Sequence, residues 1–150
     1  MPKIDVKSAP EVVGSRYPGA FAEPCRNRRN LRLGEAGGLS QFGVNRTTLP
    51  PGAWSSQRHW HALEDEFAYV LEGEVVLIED DGEHPMRAGD SAAFKAGTRN
   101  GHHFVNRSDR DAVLLVVGSR NPEDHGEYPD IDMRFSRSDP TYARKDGTPL

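Results

Sequence analysis

One cysteine stands in 150 residues. Cys25 therefore has no partner for an intrachain disulfide, and the fold does not depend on an oxidising compartment. A lone thiol beside Pro24, with no histidine paired to it in sequence, reads as incidental rather than catalytic. Apolar runs are short, and none approaches the ~20 residues that cross a bilayer. The first residues, MPKIDVKSAPEVVG, lack the apolar core of a signal peptide. The net charge of −4 is mild and the basic residues are scattered, so there is no stripe for a nucleic acid. The densest basic run, Arg26 to Arg29, reads as a solvated loop. Sustained helical periodicity, internal repeats and low-complexity segments are also missing. The expectation is a soluble, cytoplasmic protein of one domain over residues 1–150, with no nucleic-acid and no membrane partner.

What the chain does have is many short strand-like runs separated by turn chemistry. They are Leu39–Leu49, Trp54–Trp60, Glu66–Leu71, Val75–Glu79, Ser91–Lys95, His103–Asn106 and Ala112–Val117, with one more near Met133–Ser136. Pro50-Pro51-Gly52 forces a turn, Glu72-Gly73-Glu74 and Asp80-Asp81-Gly82 suit hairpins, and Gly89 and Gly97 tolerate positive φ. This spacing predicts an all-β sandwich or barrel. Residues 1–30 read as an irregular N-terminal arm, 39–118 as the barrel core and 119–150 as a C-terminal tail. Val75–Ile78 and Val113–Val117 are apolar on both faces, which predicts strands covered on both sides.

Within PGAWSSQRHWHALEDEFAYVLEGE lie His59 and His61. On a strand they would share one face, roughly 6–7 Å apart along the chain. Two imidazoles so placed can converge on one metal ion, and a carboxylate from the next strand can complete three sides of a shell. Without such companions, a His-x-His pair is as often a surface or packing feature.

The companions are there, and with them the chain resembles the cupin superfamily. Cupins carry a first motif of Gly, five residues, His-x-His, three or four residues, Glu, six residues, Gly. Gly52, His59, His61, Glu66 and Gly73 follow it, with six residues rather than five after Gly52. Glu64 has the wrong spacing to Gly73, so Glu66 is the better ligand candidate. The second motif runs Gly, five residues, Pro-x-Gly, two residues, His, three residues, Asn. Gly89, Gly97, His102 and Asn106 follow it, with Lys95 where proline is usual and four residues between Gly97 and His102. His102 keeps the gap to Asn106, so it is the expected fourth ligand, with His103 as the alternative.

The resemblance covers about Gly52 to Gly118. It implies a double-stranded β-helix, or jelly roll, with a metal held by His59, His61, Glu66 and His102. Three neutral imidazoles and a carboxylate suit a divalent transition metal, whether Fe, Mn, Ni, Cu or Zn. Four protein ligands on an octahedral ion leave positions for a substrate. The resemblance also implies a small-molecule ligand or substrate and a homodimer.

Other polar residues have plainer readings. His84 and His125 sit in turns as solvated histidines, and Asn106 caps a turn. Gln57 either lines the pocket or packs. Tyr69, three residues beyond Glu66, falls on the opposite face as a core or interface aromatic. Phe94 and Phe104 read as barrel core. Two functions follow: a metal-dependent enzyme of dioxygenase, isomerase or lyase type, or a non-catalytic module binding a sugar or small acid. Fold alone does not choose between them.

Overall fold

A computed structural model describes residues 2–150. Twelve strands run in chain order. They are β1 (Glu11–Val13), β2 (Arg29–Arg32), β3 (Phe42–Leu49), β4 (Glu66–Glu72), β5 (Glu74–Glu79) and β6 (Gly82–Arg87), then β7 (Ser91–Phe94), β8 (His103–Val105), β9 (Ala112–Ser119), β10 (His125–Tyr128), β11 (Met133–Ser136) and β12 (Asp139–Ala143). Every strand pairing is antiparallel. A six-stranded sheet has the order β1-β2-β3-β9-β4-β7, a three-stranded sheet the order β6-β5-β8, and the C-terminal strands form β10-β11-β12.

The first two sheets enclose the core of a jelly roll. Alternation along β4 turns Ala68 and Val70 inward and leaves Phe67, Tyr69 and Leu71 exposed. Ala68 and Val70 meet Leu49 of β3, Val75 and Leu77 of β5, Met86 of β6, Phe104 of β8 and Leu114 of β9. In the doubly apolar runs, Val75 and Leu77 of β5 and Ala112 and Leu114 of β9 face the core, while the alternate residues are only half-buried on the outer faces. At the β4–β5 turn Gly73 has φ +73°, and a Cβ there would lie 2.7 Å from the Asp111 carbonyl oxygen, so only glycine fits. No helix among the described residues is long and apolar enough to cross a membrane.

Five expectations need correction. Trp54–Trp60 is not a strand. Its contacts are isolated bridges from Trp54 to Val105 and from His59 to His102. Trp54 N–H donates to Pro24, Ser55 to Phe104, His59 to His102 and Trp60 to Glu127. The hydrogen bonds go to three separate parts of the chain, so no continuous ladder forms. The N-terminal arm is only partly irregular, because β2 pairs with β3 and β1 pairs with β2. Arg28 is not solvated, since its guanidinium donates to the carbonyls of Ser55 and Gly14 at 2.5 and 2.7 Å. The tail carries two strands beyond Met133–Ser136, and β6, with Pro85 inside it, was also unexpected. Pro85 is tolerated because β6 is an edge strand, bonded only to β5.

Candidate metal centre

His59 and His61 lie on the irregular segment that leads into β4, Glu66 opens β4, and His102 immediately precedes β8. The His59–His102 bridge ties the two histidine segments together through reciprocal backbone hydrogen bonds of 3.2 and 2.9 Å. His59 Nε2 lies 3.2 Å from His61 Nε2. Glu66 reaches His61 Nε2 at 3.4 Å with one oxygen and His102 Nε2 at 3.2 Å with the other. The ligand-type atoms of His59, His61 and Glu66 all lie within 4.8 Å of one another. The structure therefore brings the four expected residues together, although the strand that was to carry two of them does not form. His103 points elsewhere: its Nδ1 donates to the Ser56 carbonyl at 2.8 Å and its ring meets Trp54 edge-on.

Neighbouring groups fix what these rings can offer. His59 Nδ1 lies 2.9 Å from the Gln57 carbonyl, which can only accept, so the proton sits on Nδ1 and Nε2 keeps its lone pair. Burial, then the nearby His102 and His61, push the His59 pKa down to about 3. His61 Nδ1 donates to Asp124 at 2.7 Å. Burial works against charge on His61, but the hydrogen bonds to Asp124 and Glu66 outweigh it and raise its pKa to about 9. Burial likewise acts to raise the Glu66 pKa, yet hydrogen bonds from His102 and His61 hold it well below the usual carboxylate range. The His102 ring stacks on Phe94 with centroids 3.5 Å apart, and its buried Nδ1 has no partner among the described residues.

Two Nε2 lone pairs 3.2 Å apart beside a carboxylate make an electron-rich point that needs a cation between them. The same donor set fits a divalent first-row ion, with the Nδ1–H bonds to Gln57 and Asp124 fixing tautomer and ring orientation.

Asp124 was not singled out by sequence reading. It is fully buried, accepts from the Leu63 N–H at 2.8 Å as well as from His61, and follows the barrel core by several residues. Only its position just before β10 places it here, and no local spacing signals that. Glu64 lies on the Nδ1 side of His61, with one oxygen 3.7 Å from that nitrogen. Arg137 of the C-terminal segment donates to both its oxygens at 3.1 and 2.8 Å, and Asn121 N–H adds a third bond. Gln57 packs rather than lining the site, its amide donating to the Phe21 carbonyl. Asn106 caps a turn as expected, donating to Leu49 and Arg110 carbonyls and accepting from Ser108.

Cavities border the quartet on more than one side. One of about 180 Å³ is lined by Trp60, His61, Glu64, Glu79, Lys95 and His102, among others. Another of about 240 Å³ lies between His59, His61 and the C-terminal sheet. Tyr128 and Phe135 form its wall, with ring centroids 5.8 Å from His59 and 5.2 Å from His61 respectively.

Comparison with known proteins agrees with this architecture. A family model described as the cupin domain matches residues 45–118. A sugar phosphate isomerase of the cupin superfamily from Silicibacter pomeroyi is 53% identical, with 99% of this chain and 96% of that one covered at a TM-score of 0.94. A protein from Acidithiobacillus ferrooxidans, for which sugar phosphate isomerase is a candidate assignment, is 27% identical over 95% of this chain and 88% of its own, with a TM-score of 0.78. Protein SchB of Streptomyces halstedii is 34% identical over 104 residues, which is 64% of this chain and 72% of that protein. The chain belongs to the cupin superfamily.

Proposed function

We propose that this protein is a divalent-metal-dependent enzyme acting on a small hydroxylated molecule, and that its reaction is isomerisation of a sugar phosphate. The observation that carries the metal reading is the pair of Nε2 lone pairs fixed 3.2 Å apart beside the Glu66 carboxylate. Its bias toward isomerisation comes from the Silicibacter protein, similar over nearly the whole of both chains.

In this reading His59, His61, Glu66 and His102 hold the ion. Bound there, it would supply Lewis-acid polarisation of a substrate carbonyl or hydroxyl oxygen. The chain's own residues prepare that site. Gln57 and Asp124 hold the ring protons of His59 and His61 on Nδ1, so each Nε2 would be available to the ion. Phe94 restrains the His102 ring by stacking and closes one side to water. Arg137, itself exposed, pairs with the buried Glu64 and holds the C-terminal segment against His61, so the quartet lies in a partly closed cleft rather than on open surface.

The test is metal content followed by turnover. His61→Ala should lose nearly all bound metal while remaining folded, by elemental analysis and circular dichroism. The metal-loaded wild type should interconvert an aldose phosphate with its ketose phosphate by NMR, and the variant should not. Unchanged metal stoichiometry in His61→Ala would sink the ligand assignment. Saturable binding of sugar phosphates without turnover would move the protein from enzyme to binding module.

The homodimer belongs to the same reading. Phe67, Tyr69 and Leu71 are each about two-fifths exposed on the outer face of the six-stranded sheet, opposite the half-buried Val113, Leu115 and Val117 of β9. A second copy is the proposed cover for that face. A monomer by light scattering would reject it.

A further inference from the structure

We infer that the substrate sits in the 240 Å³ chamber between the quartet and the C-terminal sheet, with Arg16 holding its anionic group. This rests on reading the quartet as a metal centre for a sugar phosphate. Three cavities lined by His61 compete for that substrate, and their charges differ; one of about 190 Å³ sets Glu64, Asp65 and Glu66 against Arg120 and Arg137 and is net acidic. The 180 Å³ cavity presents the carboxylates of Glu64 and Glu79 against the single ammonium of Lys95. The larger chamber presents the guanidiniums of Arg16 and Arg137 against the single carboxylate of Asp139. A phosphate dianion is favoured in the 240 Å³ chamber and opposed in the other two.

The cations of the chamber are not equivalent. Arg137 is committed to Glu64 through two hydrogen bonds. Asp139 holds the backbone N–H and hydroxyl of Thr141 at 2.9 and 2.7 Å. Arg16 is exposed and has neither an ion pair nor a hydrogen bond among the described residues, so its fork is free for two phosphate oxygens.

The remaining surface suits a polyol. Tyr128, Phe135 and Tyr142 offer apolar faces for C–H groups, and Ser136 and Thr141 offer hydroxyls. His59 and His61 also line the chamber, so a ligand anchored at Arg16 has its other end against the quartet. Arg16, Tyr128, Phe135 and Tyr142 all lie outside the segment that matches the cupin-domain model. The common part of the family would supply the metal, and the flanking parts would select what reaches it.

Ribitol 5-phosphate tests this, because it has the phosphate and hydroxyls but no carbonyl to turn over. Calorimetric titration of metal-loaded protein should give saturable binding, much tighter than for ribitol. Arg16→Ala should weaken ribitol 5-phosphate by about tenfold or more, with ribitol affinity and metal content unchanged. Arg16→Lys should recover part of the loss, and Lys95→Ala should stay within about twofold of wild type. A silent Arg16→Ala, a larger loss in Lys95→Ala, or no saturable binding by the wild type would overturn the assignment. Failure of the metal reading looks different: wild-type protein would then carry no stoichiometric metal, whatever Arg16→Ala does to the phosphate.

Discussion

The quartet and the walls around it come from two different stretches of the chain. His59, His61, Glu66 and His102 all fall within residues 45–118, the segment shared with the cupin domain. Gln57 and Phe94, which orient His59 and His102, lie there too, but other groups that orient and enclose the quartet do not. Asp124 holds His61, Arg137 pins Glu64, and Tyr128 and Phe135 lie over the imidazole rings. The inner segment is built from ladder hydrogen bonds and an apolar core, so its residues are fixed by burial. The outer segment has short strands with little apolar content and is held by particular polar bonds to the inner one. Metal chemistry needs rigid ligands, whereas substrate choice can be changed by altering a lightly attached wall.

The sharpest way to break that division is at Gly126. β10 lies against the histidine segment, with Trp60 N–H donating to Glu127 and Ala62 N–H to His125. A Cβ on Gly126 would collide with the Trp60 carbonyl oxygen and come within 2.6 Å of the Phe135 ring. Because the close neighbour is backbone, relief requires β10 to lift. Gly126→Ala should therefore cost about 1–3 kcal/mol or more, read by thermal unfolding. Proteolysis should first cut residues 119–150 and leave the inner segment intact. Uniform protection of the variant would mean that the two stretches are one cooperative unit.

The same division explains what could be read in advance. Glu66, Gly73, His102 and Asn106 stand out in the sequence because their spacings resemble the two cupin motifs, whose turns and strands set those distances. Met133–Ser136 was legible because Met133 and Phe135 alternate with polar residues. The strand HGEY has no such pattern: Gly126 and Tyr128 are buried because of Trp60 and Tyr17, residues far away in sequence. The segment RNLR of β2 is equally unreadable, since only its pairing with β3 makes it a strand. Trp54–Trp60 failed in the opposite sense. Its composition suits a strand, but its backbone partners are divided among Pro24, Phe104, His102 and Glu127. Local pattern reports burial, and it says nothing about how many neighbours share one segment's hydrogen bonds.

A milder cut leaves the wall in place and removes only its grip on the quartet. Asp124→Asn keeps the size of the side chain but lets the amide offer N–H to His61, which spoils the tautomer that frees Nε2. Losing such a partner typically lowers metal affinity 10–100-fold. Competition against a chelator of known affinity should show that loss, with the fold unchanged by circular dichroism. Wild-type affinity in Asp124→Asn would mean that the outer segment merely covers the site and does not tune it.

The smallest effect is expected where the two stretches meet at the surface. Arg58 of the inner segment donates to both oxygens of Asp130 at 2.9 Å, and also bonds Asp80 and the Gly101 carbonyl. The Arg58 hydrogen bonds lower the Asp130 pKa below its ordinary value of 3.8, against the opposing effect of burial. A depressed carboxylate pKa stabilises the fold at pH values above the unfolded pKa, and this is lost as pH falls through the folded one. The Asp130 side chain is 61% exposed, so solvent screens the pair. Asp130→Asn should then lower the melting temperature by up to about 3 °C at pH 7. That gap should hold down to about pH 5 and close as the solution is acidified further, because protonation removes in the wild type what the substitution has already removed. It should also narrow in high salt. A gap that widens on acidification would show that Asp130 opposes, rather than supports, the docking of the C-terminal segment.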